Sequence, residues 1–196
     1  AGAFEVRAAQ VVLALPFTTL RRVQMDLELP AVKRRAINEL GYGTNAKLMI
    51  GVNERVWRTR SHSSGSSFSD LAVQTTWETS RMQPGKAGIL TNFVGGRHGL
   101  EIAEGTARQQ ADTAAQQLDA LYPGMSSARS GAHEARMNWP TQPWALGSYA
   151  CLRPGQWTTI RGAAGESVGN LHFIGEHCAF DNQGFMEGGV ETGEWA

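Results

Sequence analysis

The most constraining feature of this 196-residue sequence is a glycine-rich strand–turn–helix pattern near its C-terminus. A short apolar run at 171–174 leads into Gly175, a polar loop and a second glycine-rich stretch, residues 184–190. Glycines let a ligand approach the backbone closely, and a helix that begins near Gly184 offers free N–H groups to an electron-rich atom. The pattern predicts a cofactor site; the alternative is an ordinary strand-to-helix connection with a solvated Glu176.

Charge and composition exclude several classes of protein. The 18 Lys and Arg residues balance 18 Asp and Glu residues, so no net charge favours nucleic acid or an anionic membrane surface. Hydrophobic residues make up 41% of the chain, enough for a core. No run of about 18 apolar residues predicts a membrane span. The five histidines lack metal-ligand spacing, so no metal is predicted. Two cysteines and no N-glycosylation sequon favour a cytoplasmic location.

A second glycine motif, residues 41–46, matches the G-x-G-x-x-A dinucleotide fingerprint in the wrong context. The fingerprint requires a strand before it and a helix after it, whereas here a predicted helix precedes and a predicted strand follows. We therefore predict no phosphate-binding loop at this position.

Hydrophobic periodicity predicts alternating strands and helices. Residues 4–7 and 11–15 read as two strands that could form a hairpin. Helices are predicted after Pro30, ending at Gly41, and over residues 106–121, where alanines and leucines line one face. Further strands are predicted at 47–52, 72–77, 89–94 and 171–174, and the aromatic-rich segment 139–157 is predicted to be a loop.

The C-terminal pattern resembles the flavin-binding signature of the flavin-dependent amine oxidases, the family of monoamine, polyamine and L-amino acid oxidases. Its letters are FIGEH at 173–177 and GFMEGGVETGE at 184–194. Four motifs occur in the same order as in the family and extend over nearly the whole chain, so together they indicate the family far more specifically than any single motif. The other three are the strand that ends at Pro16, the segment 40–57 with Lys47, and the loop from Asn138-Trp139 to Gly147-Ser148-Tyr149.

The resemblance implies a non-covalently bound FAD. Glu176 would hydrogen-bond the ribityl or pyrophosphate part, and Gly175 would allow close approach. The Met186 N–H would face the flavin pyrimidine carbonyl, and the helix dipole would stabilise the reduced flavin. Ser148 stands where monoamine oxidases have the cysteine that bonds to the flavin, so no covalent link is expected. The implied cofactor-binding residues are Gly175, Glu176, Gly184, Phe185, Met186 and Gly189.

The resemblance also implies a catalytic site composed of Lys47, Tyr149 and Phe185. Tyr149 and Phe185 match the aromatic pair that sandwiches the substrate amine in monoamine oxidases, with Phe185 in place of a tyrosine. Lys47 would hold a water near flavin N5, and the apolar residues 48–50 beside it suggest that it is partly buried. Trp139 would pack beside the substrate; ordinary core packing is an equal alternative for this side chain.

The implied fold is α/β: a substrate-domain α+β sheet plus part of a Rossmann-like FAD-binding domain. Residues 1–36 and 142–196 would belong to the flavin domain, and 37–141 to the substrate domain with its mixed sheet and the helix 106–121. The family's N-terminal G-x-G-x-x-G unit does not occur in the chain. We therefore expect an incomplete two-domain fold, a C-terminal portion that is inactive without an N-terminal half on the same or a partner chain.

The implied reaction is oxidation of a C–N bond of an amine or amino acid, with oxygen as the acceptor, to give an imine and hydrogen peroxide. Two alternatives remain open at the level of sequence. One is a non-catalytic protein-interaction module that uses the exposed sheet and the aromatic loop. The other keeps the flavin fold with different chemistry, as in a C–C desaturase or a porphyrinogen oxidase relative.

Overall fold

The computed structural model describes residues 4–196, so residues 1–3 of the predicted segment 1–36 lie outside it. The strands are β1 (Val11–Leu13), β2 (Ala46–Val52), β3 (Ser67–Phe68), β4 (Thr75–Glu78), β5 (Gly88–Val94), β6 (Arg129–Asn138) and β7 (Leu171–Phe173). The helices are α1 (Phe17–Leu20), α2 (Ala31–Glu39), α3 (Val56–Thr59), α4 (Gly96–Glu101), α5 (Ala107–Leu118), α6 (Gln156–Thr159) and α7 (Met186–Trp195). Short 3₁₀ turns cover Trp139–Thr141 and Glu176–Cys178.

The chain forms two compact units. The first comprises the residues up to Gly43 together with Pro143–Ala196, and the second comprises Thr44–Gln142. Assignment of these units to a flavin domain and a substrate domain stays a prediction. Within residues 4–196, no helix is both long and apolar enough to cross a membrane, and no three acidic, His or Cys side chains are grouped to hold a metal ion.

The first unit contains a two-stranded parallel sheet. β1 pairs with β7 in register from Val11 opposite Leu171 to Leu13 opposite Phe173. The predicted hairpin is therefore wrong: residues 4–7 form no strand, and β1 instead finds a partner that follows it by about 160 residues. Phe173 packs edge-on against Phe17 of α1, with ring centroids 6.4 Å apart, in a core that Leu20 and Ile37 also enter.

The two-stranded sheet leaves apolar surface uncovered on both of its faces. Val11 and Val12 point to opposite faces because side chains alternate along a strand, and they are 41% and 48% exposed. Parallel strands normally lie in larger sheets that are covered on both sides. The parallel pair is therefore the structure of an incomplete sheet.

The second unit is a five-stranded antiparallel sheet, in the order β3-β4-β5-β2-β6, with α5 on one face. Leu48 and Ile50 of β2 are fully buried towards α5, which contributes Ala111, Ala115 and Leu118 to the same core. The predicted helix at 106–121 is confirmed over Ala107–Leu118. It begins with a capping box in which Thr106 and Gln109 each bond the other's backbone N–H.

A buried ionic network stabilises the sheet of the second unit. The fully buried Glu78 side chain accepts hydrogen bonds from Trp57 Nε1 at 2.9 Å and Arg58 Nε at 2.6 Å, and it lies 3.5 Å from Arg55. Burial opposes ionisation of this carboxyl, but the donors and the two guanidinium groups outweigh it and hold the pKa of Glu78 below its ordinary value.

Candidate functional site

The strand–turn–helix at the C-terminus is organised around Glu176. Its Oε1 accepts a hydrogen bond from Ala150 N at 2.9 Å, and its Oε2 accepts one from Gly184 N at 2.7 Å. Burial raises the pKa of Glu176, and the two N–H donors oppose that rise. The carboxylate thus joins the loop that precedes α7 to the aromatic segment around Tyr149.

Gly175 is required by both its conformation and its surroundings. Its φ of +126° is rarely adopted by residues with a side chain, and a Cβ would lie 2.7 Å from Cε1 of His177. Its N–H donates to Thr192 Oγ1 at 2.9 Å, which ties the end of β7 to α7. The predicted role of Gly175 in close backbone approach is compatible with this geometry.

The first turn of α7 presents backbone donors without a side-chain cap. The helix is predicted to begin near Gly184 and begins at Met186, because Gly184 has φ +88° and Phe185 is the extended N-cap residue. Phe185 has no polar atom for capping, so the first-turn N–H groups of α7 have no side-chain acceptor there. Met186 itself is exposed.

Two adjacent glycines of α7 face different surroundings. A Cβ on Gly188 would lie 2.3 Å from the Asn182 carbonyl oxygen, so Gly188 allows the helix to pack on its own loop. A Cβ on Gly189 would have no heavy atom within 4 Å outside the helix backbone. Sequence reasoning assigned Gly189 to the cofactor, and its open side leaves space for a ligand.

A cavity of about 270 Å³ in the first unit has Gly175 and Glu176 in its wall. Its wall is mostly apolar with a few polar groups, which is the usual character of a cofactor pocket. The residues present therefore fit a flavin: an uncapped helix start, an open glycine on that helix and a glycine-lined cavity. Its lining includes Tyr42, Gly147, Ser148, Gly175, Glu176 and His177.

The two predicted substrate aromatics lie on segments that Glu176 connects. Tyr149 is 40% exposed and Phe185 is 69% exposed. Among the ring contacts of residues 4–196, the two rings do not pack against each other. Exposed, unpaired rings on neighbouring segments are compatible with a pair that receives a ligand between them.

Lys47 and Trp139 belong to the second unit. Lys47 Nζ lies 5.9 Å from the ring centroid of Trp77 and 6.0 Å from that of Phe93, at the outer limit of cation–π interaction. The expected partial burial of Lys47 is wrong, because Leu48 and Ile50 point to the opposite face of the sheet and leave Lys47 exposed. Trp139 lies in the 3₁₀ turn after β6 and is 39% exposed, which is more than a core residue would be.

Sequence reasoning missed the two residues that fix the geometry of the signature. Thr192 is buried and bonds both Gly175 N–H and the Gly188 carbonyl, the latter at 2.9 Å. The sequence indicates Gly188 only as one glycine of the stretch 184–190. The four-residue spacing of Gly188 and Thr192, which places both on one helix face, was the available signal.

Comparison with known proteins identifies the family. The family model described as flavin containing amine oxidoreductase matches residues 2–196. The chain therefore belongs to the flavin containing amine oxidoreductase family.

Individual relatives are distant in sequence. An L-amino acid dehydrogenase of Synechocystis sp. is 26% identical over 186 residues, covering 94% of this chain and 39% of the relative. A flavin-containing amine oxidase of Danio rerio is 26% identical over 193 residues, covering 97% of this chain and 37% of the relative. The chain thus spans about two fifths of the length of these relatives.

Solved structures share the fold. Cyclohexylamine oxidase from Brevibacterium oxydans superposes with a TM-score of 0.84 at 22% identity, covering 100% of this chain and 43% of that one. Putrescine oxidase bound to putrescine gives 0.82 at 21% identity, with 96% and 41% covered. The expectation of an incomplete flavin amine oxidase fold is confirmed.

Proposed function

We propose that this chain is the C-terminal portion of an FAD-dependent amine oxidase that oxidises a C–N bond of an amine or amino acid. The observation that carries the proposal is the arrangement around Glu176, in a chain of this family. One carboxylate joins the loop before the uncapped start of α7 to the Tyr149 segment, beside a cavity whose wall includes Gly147 and Gly175. When bound, the flavin supplies the hydride acceptor for the amine carbon and passes the electrons to oxygen, which yields hydrogen peroxide.

The residues of the first unit would bind the flavin and orient it. The Met186 N–H and the other first-turn amides of α7 would donate to flavin carbonyl oxygen and stabilise negative charge through the helix dipole. Gly175 and Gly189 have no side chain, so the cofactor could approach the backbone closely at both positions. Ser148, a hydroxyl beside the cavity, offers no thiol for a covalent link, so the FAD is held non-covalently.

Tyr149 and Phe185 would hold the amine between two ring faces and exclude water from the reacting carbon. Lys47 would donate a hydrogen bond to a water in the site. Its ammonium lies near two aromatic rings and forms no ion pair with any of residues 4–196. Trp139 would form part of the substrate wall.

The active protein would contain an N-terminal half in addition to these residues. The small parallel sheet of only β1 and β7 supports added strands at its edges, and the exposed Val11 and Val12 support covering elements on its faces. An N-terminal half on the same or another chain would supply them together with the rest of the FAD site. Amine and oxygen would be the small-molecule partners.

The cofactor test uses the full-length protein that contains this sequence. Acid precipitation should release all of the flavin into the supernatant, where chromatography should identify FAD. Flavin that remains with the precipitate would contradict non-covalent binding, and a protein that takes up no flavin would contradict the proposal.

The catalytic test compares Lys47→Met with Lys47→Arg. We expect Lys47→Met to reduce amine-dependent peroxide release by about tenfold or more, and Lys47→Arg, which keeps the donors and the charge, to retain more activity. Equal activity in wild type and Lys47→Met would remove Lys47 from the site. Because one relative carries the name dehydrogenase, reduction of an artificial electron acceptor should be measured alongside peroxide.

A further inference from the structure

The second unit contains a cavity that the proposed oxidation does not use. Its volume is about 370 Å³, and its wall is formed by the five-stranded sheet together with α4 and α5. It lies on the face of the sheet opposite to Lys47, because Lys47 and the adjacent Leu48 of β2 point to opposite faces. The apolar residues of its wall include Leu48, Val73, Val94, Ile102 and Ala114.

A buried amide without a partner forms part of this wall. Asn92 of β5 is only 2% exposed, and its Oδ1 has no hydrogen-bond partner among residues 4–196. Asn92 lies in register with Leu48 of β2 and Thr76 of β4, so its side chain is on the α5 face of the sheet. The neighbouring Thr76 is satisfied, since its Oγ1 donates to the Gly65 carbonyl at 2.8 Å.

An unpaired buried acceptor is costly, and nearly all such groups in folded proteins find a donor. Asparagine is also uncommon in strands, where its side chain does not favour the pleated backbone. The fold itself therefore does not account for Asn92, whereas a ligand with a hydrogen-bond donor would.

The other polar groups of the cavity are mainly acceptors. Gln110 Nε2 donates to the carbonyl oxygens of Glu101 and Glu104, at 3.4 and 3.0 Å, so the acceptor Oε1 is the remaining polar atom of this side chain. Both glutamates also line the cavity, and within residues 4–196 no lysine or arginine does. Arg97 and His98 share the Glu101 carboxylate, at 3.4 and 2.7 Å.

We propose that this cavity is a second binding site, which takes a small protonated amine with a short apolar chain. The ammonium would donate a hydrogen bond to Asn92 Oδ1, and the acidic side chains would favour its positive charge. The chain of the amine would pack against the apolar wall. An anionic ligand would find no cation in the wall, and a neutral alcohol would gain little from the carboxylates.

The test is a titration of the methyl-labelled, full-length protein, followed by NMR under anaerobic conditions to prevent turnover. The signals of Leu48, Val94 and Ile102 report on the cavity. Three probes are compared: n-butylammonium, tetramethylammonium, which is a cation without an N–H donor, and n-butanol, which has a donor but no charge. We expect n-butylammonium to shift these signals saturably and to bind about tenfold or more tightly than either other probe.

Asn92→Leu removes the acceptor at nearly constant volume and should weaken n-butylammonium binding about tenfold or more. This variant also removes an unpaired buried polar group, so it should fold at least as well as wild type. Asn53→Leu makes the same chemical change at an exposed position of the same unit and should bind as wild type does.

Three results would overturn the proposal: methyl signals that no probe shifts, equal affinity for the three probes, and undiminished affinity in Asn92→Leu. The comparison of probes on wild type needs no variant, so it remains decisive should Asn92→Leu fold poorly. The site does not depend on the proposed function. If the protein oxidises no amine, the proposed function fails and the titration still decides whether the second site exists.

Discussion

Replacing Gly188 and Gly189 by alanine, one at a time, distinguishes a glycine needed for packing from one needed for cofactor contact. Both lie in the interior of α7, where alanine is more favourable than glycine by about 1 kcal/mol. At position 189 nothing outside the helix lies within 4 Å of the new methyl group, so Gly189→Ala should keep that gain.

At position 188 the methyl group would lie 2.3 Å from the Asn182 carbonyl oxygen and 2.8 Å from Ala179 Cβ. Overpacking of this kind costs typically about 1–3 kcal/mol or more, which exceeds the helix-propensity gain. Gly188→Ala should therefore lower the free energy of unfolding by about 1–2 kcal/mol. The two variants should differ by about 2–3 kcal/mol, although the chemical change is identical.

The assay is urea unfolding of the flavin-free protein, followed by titration of each variant with FAD. Gly189→Ala should unfold at higher urea than wild type yet bind FAD about tenfold more weakly, a loss of about 1.4 kcal/mol. If Gly189→Ala binds FAD as wild type does, the flavin does not contact this position. If Gly188→Ala is as stable as Gly189→Ala, the packing argument is wrong.

Three further predictions concern stability. Glu78→Gln should lower the free energy of unfolding by about 3 kcal/mol in urea titrations, because it leaves Arg55 and Arg58 without their anion in a buried network; an unchanged midpoint would contradict this. Gly175→Ala should cost about 2–4 kcal/mol, since it combines a φ of +126° with a clash against His177, and a wild-type melting temperature would refute the strain. Burial, aided by the Lys33 charge, lowers the pKa of His177 to about 4 from 6.5. The unfolded state then binds the extra proton, so about 3 kcal/mol of stability, present above pH 6.5, should be lost as the pH falls to about 4. His177→Phe should remove that dependence, and a slope that survives in this variant would assign it to other groups.

Elements with strong local signals could be predicted from the sequence. Pro30 and Gly41 frame α2, which is observed at Ala31–Glu39, and alanine periodicity predicts α5. β2 and β5 also lie where their apolar runs indicate. In each case the signal lies within the element itself.

Elements held by distant partners could not be predicted. β1 pairs with β7 rather than with its neighbour in sequence, since a parallel partner leaves no turn signal nearby. β6 carries arginines, a glutamate and a histidine without clear alternation, and its backbone pairing with β2 defines it. Local pattern does not contain this information.

Lys33 illustrates the same limit for a single side chain. Val32, Ala36, Ile37 and Leu40 fall at helical spacing, which predicts that Val32 lies on the buried face of α2. In the structure Val32 is exposed and Lys33 is only 1% exposed. Lys33 Nζ donates to the Ala164 carbonyl at 2.7 Å and lies 4.1 Å from the Phe173 ring centroid. These partners, far away in sequence, compensate the buried ammonium, whose pKa burial lowers to about 8.

In the candidate site, too, residues with a local signal could be predicted from the sequence, and contacts between distant residues could not. The letters of the signature indicated Gly175, Glu176 and the start of α7, because these residue types are themselves the motif. The hydrogen bond of Glu176 to Ala150 spans 26 residues and that to Gly184 spans 8, so only the three-dimensional arrangement shows which backbone groups this carboxylate joins.

The most direct test of the proposed function is anaerobic mixing of the full-length flavoprotein with a panel of primary amines, polyamines and L-amino acids while the visible flavin absorbance is followed. The account predicts that at least one of these compounds bleaches the flavin, and that admission of oxygen restores the absorbance with release of hydrogen peroxide. A flavoprotein that no amine or amino acid reduces, but that a substrate with an oxidisable C–C bond does reduce, would contradict it.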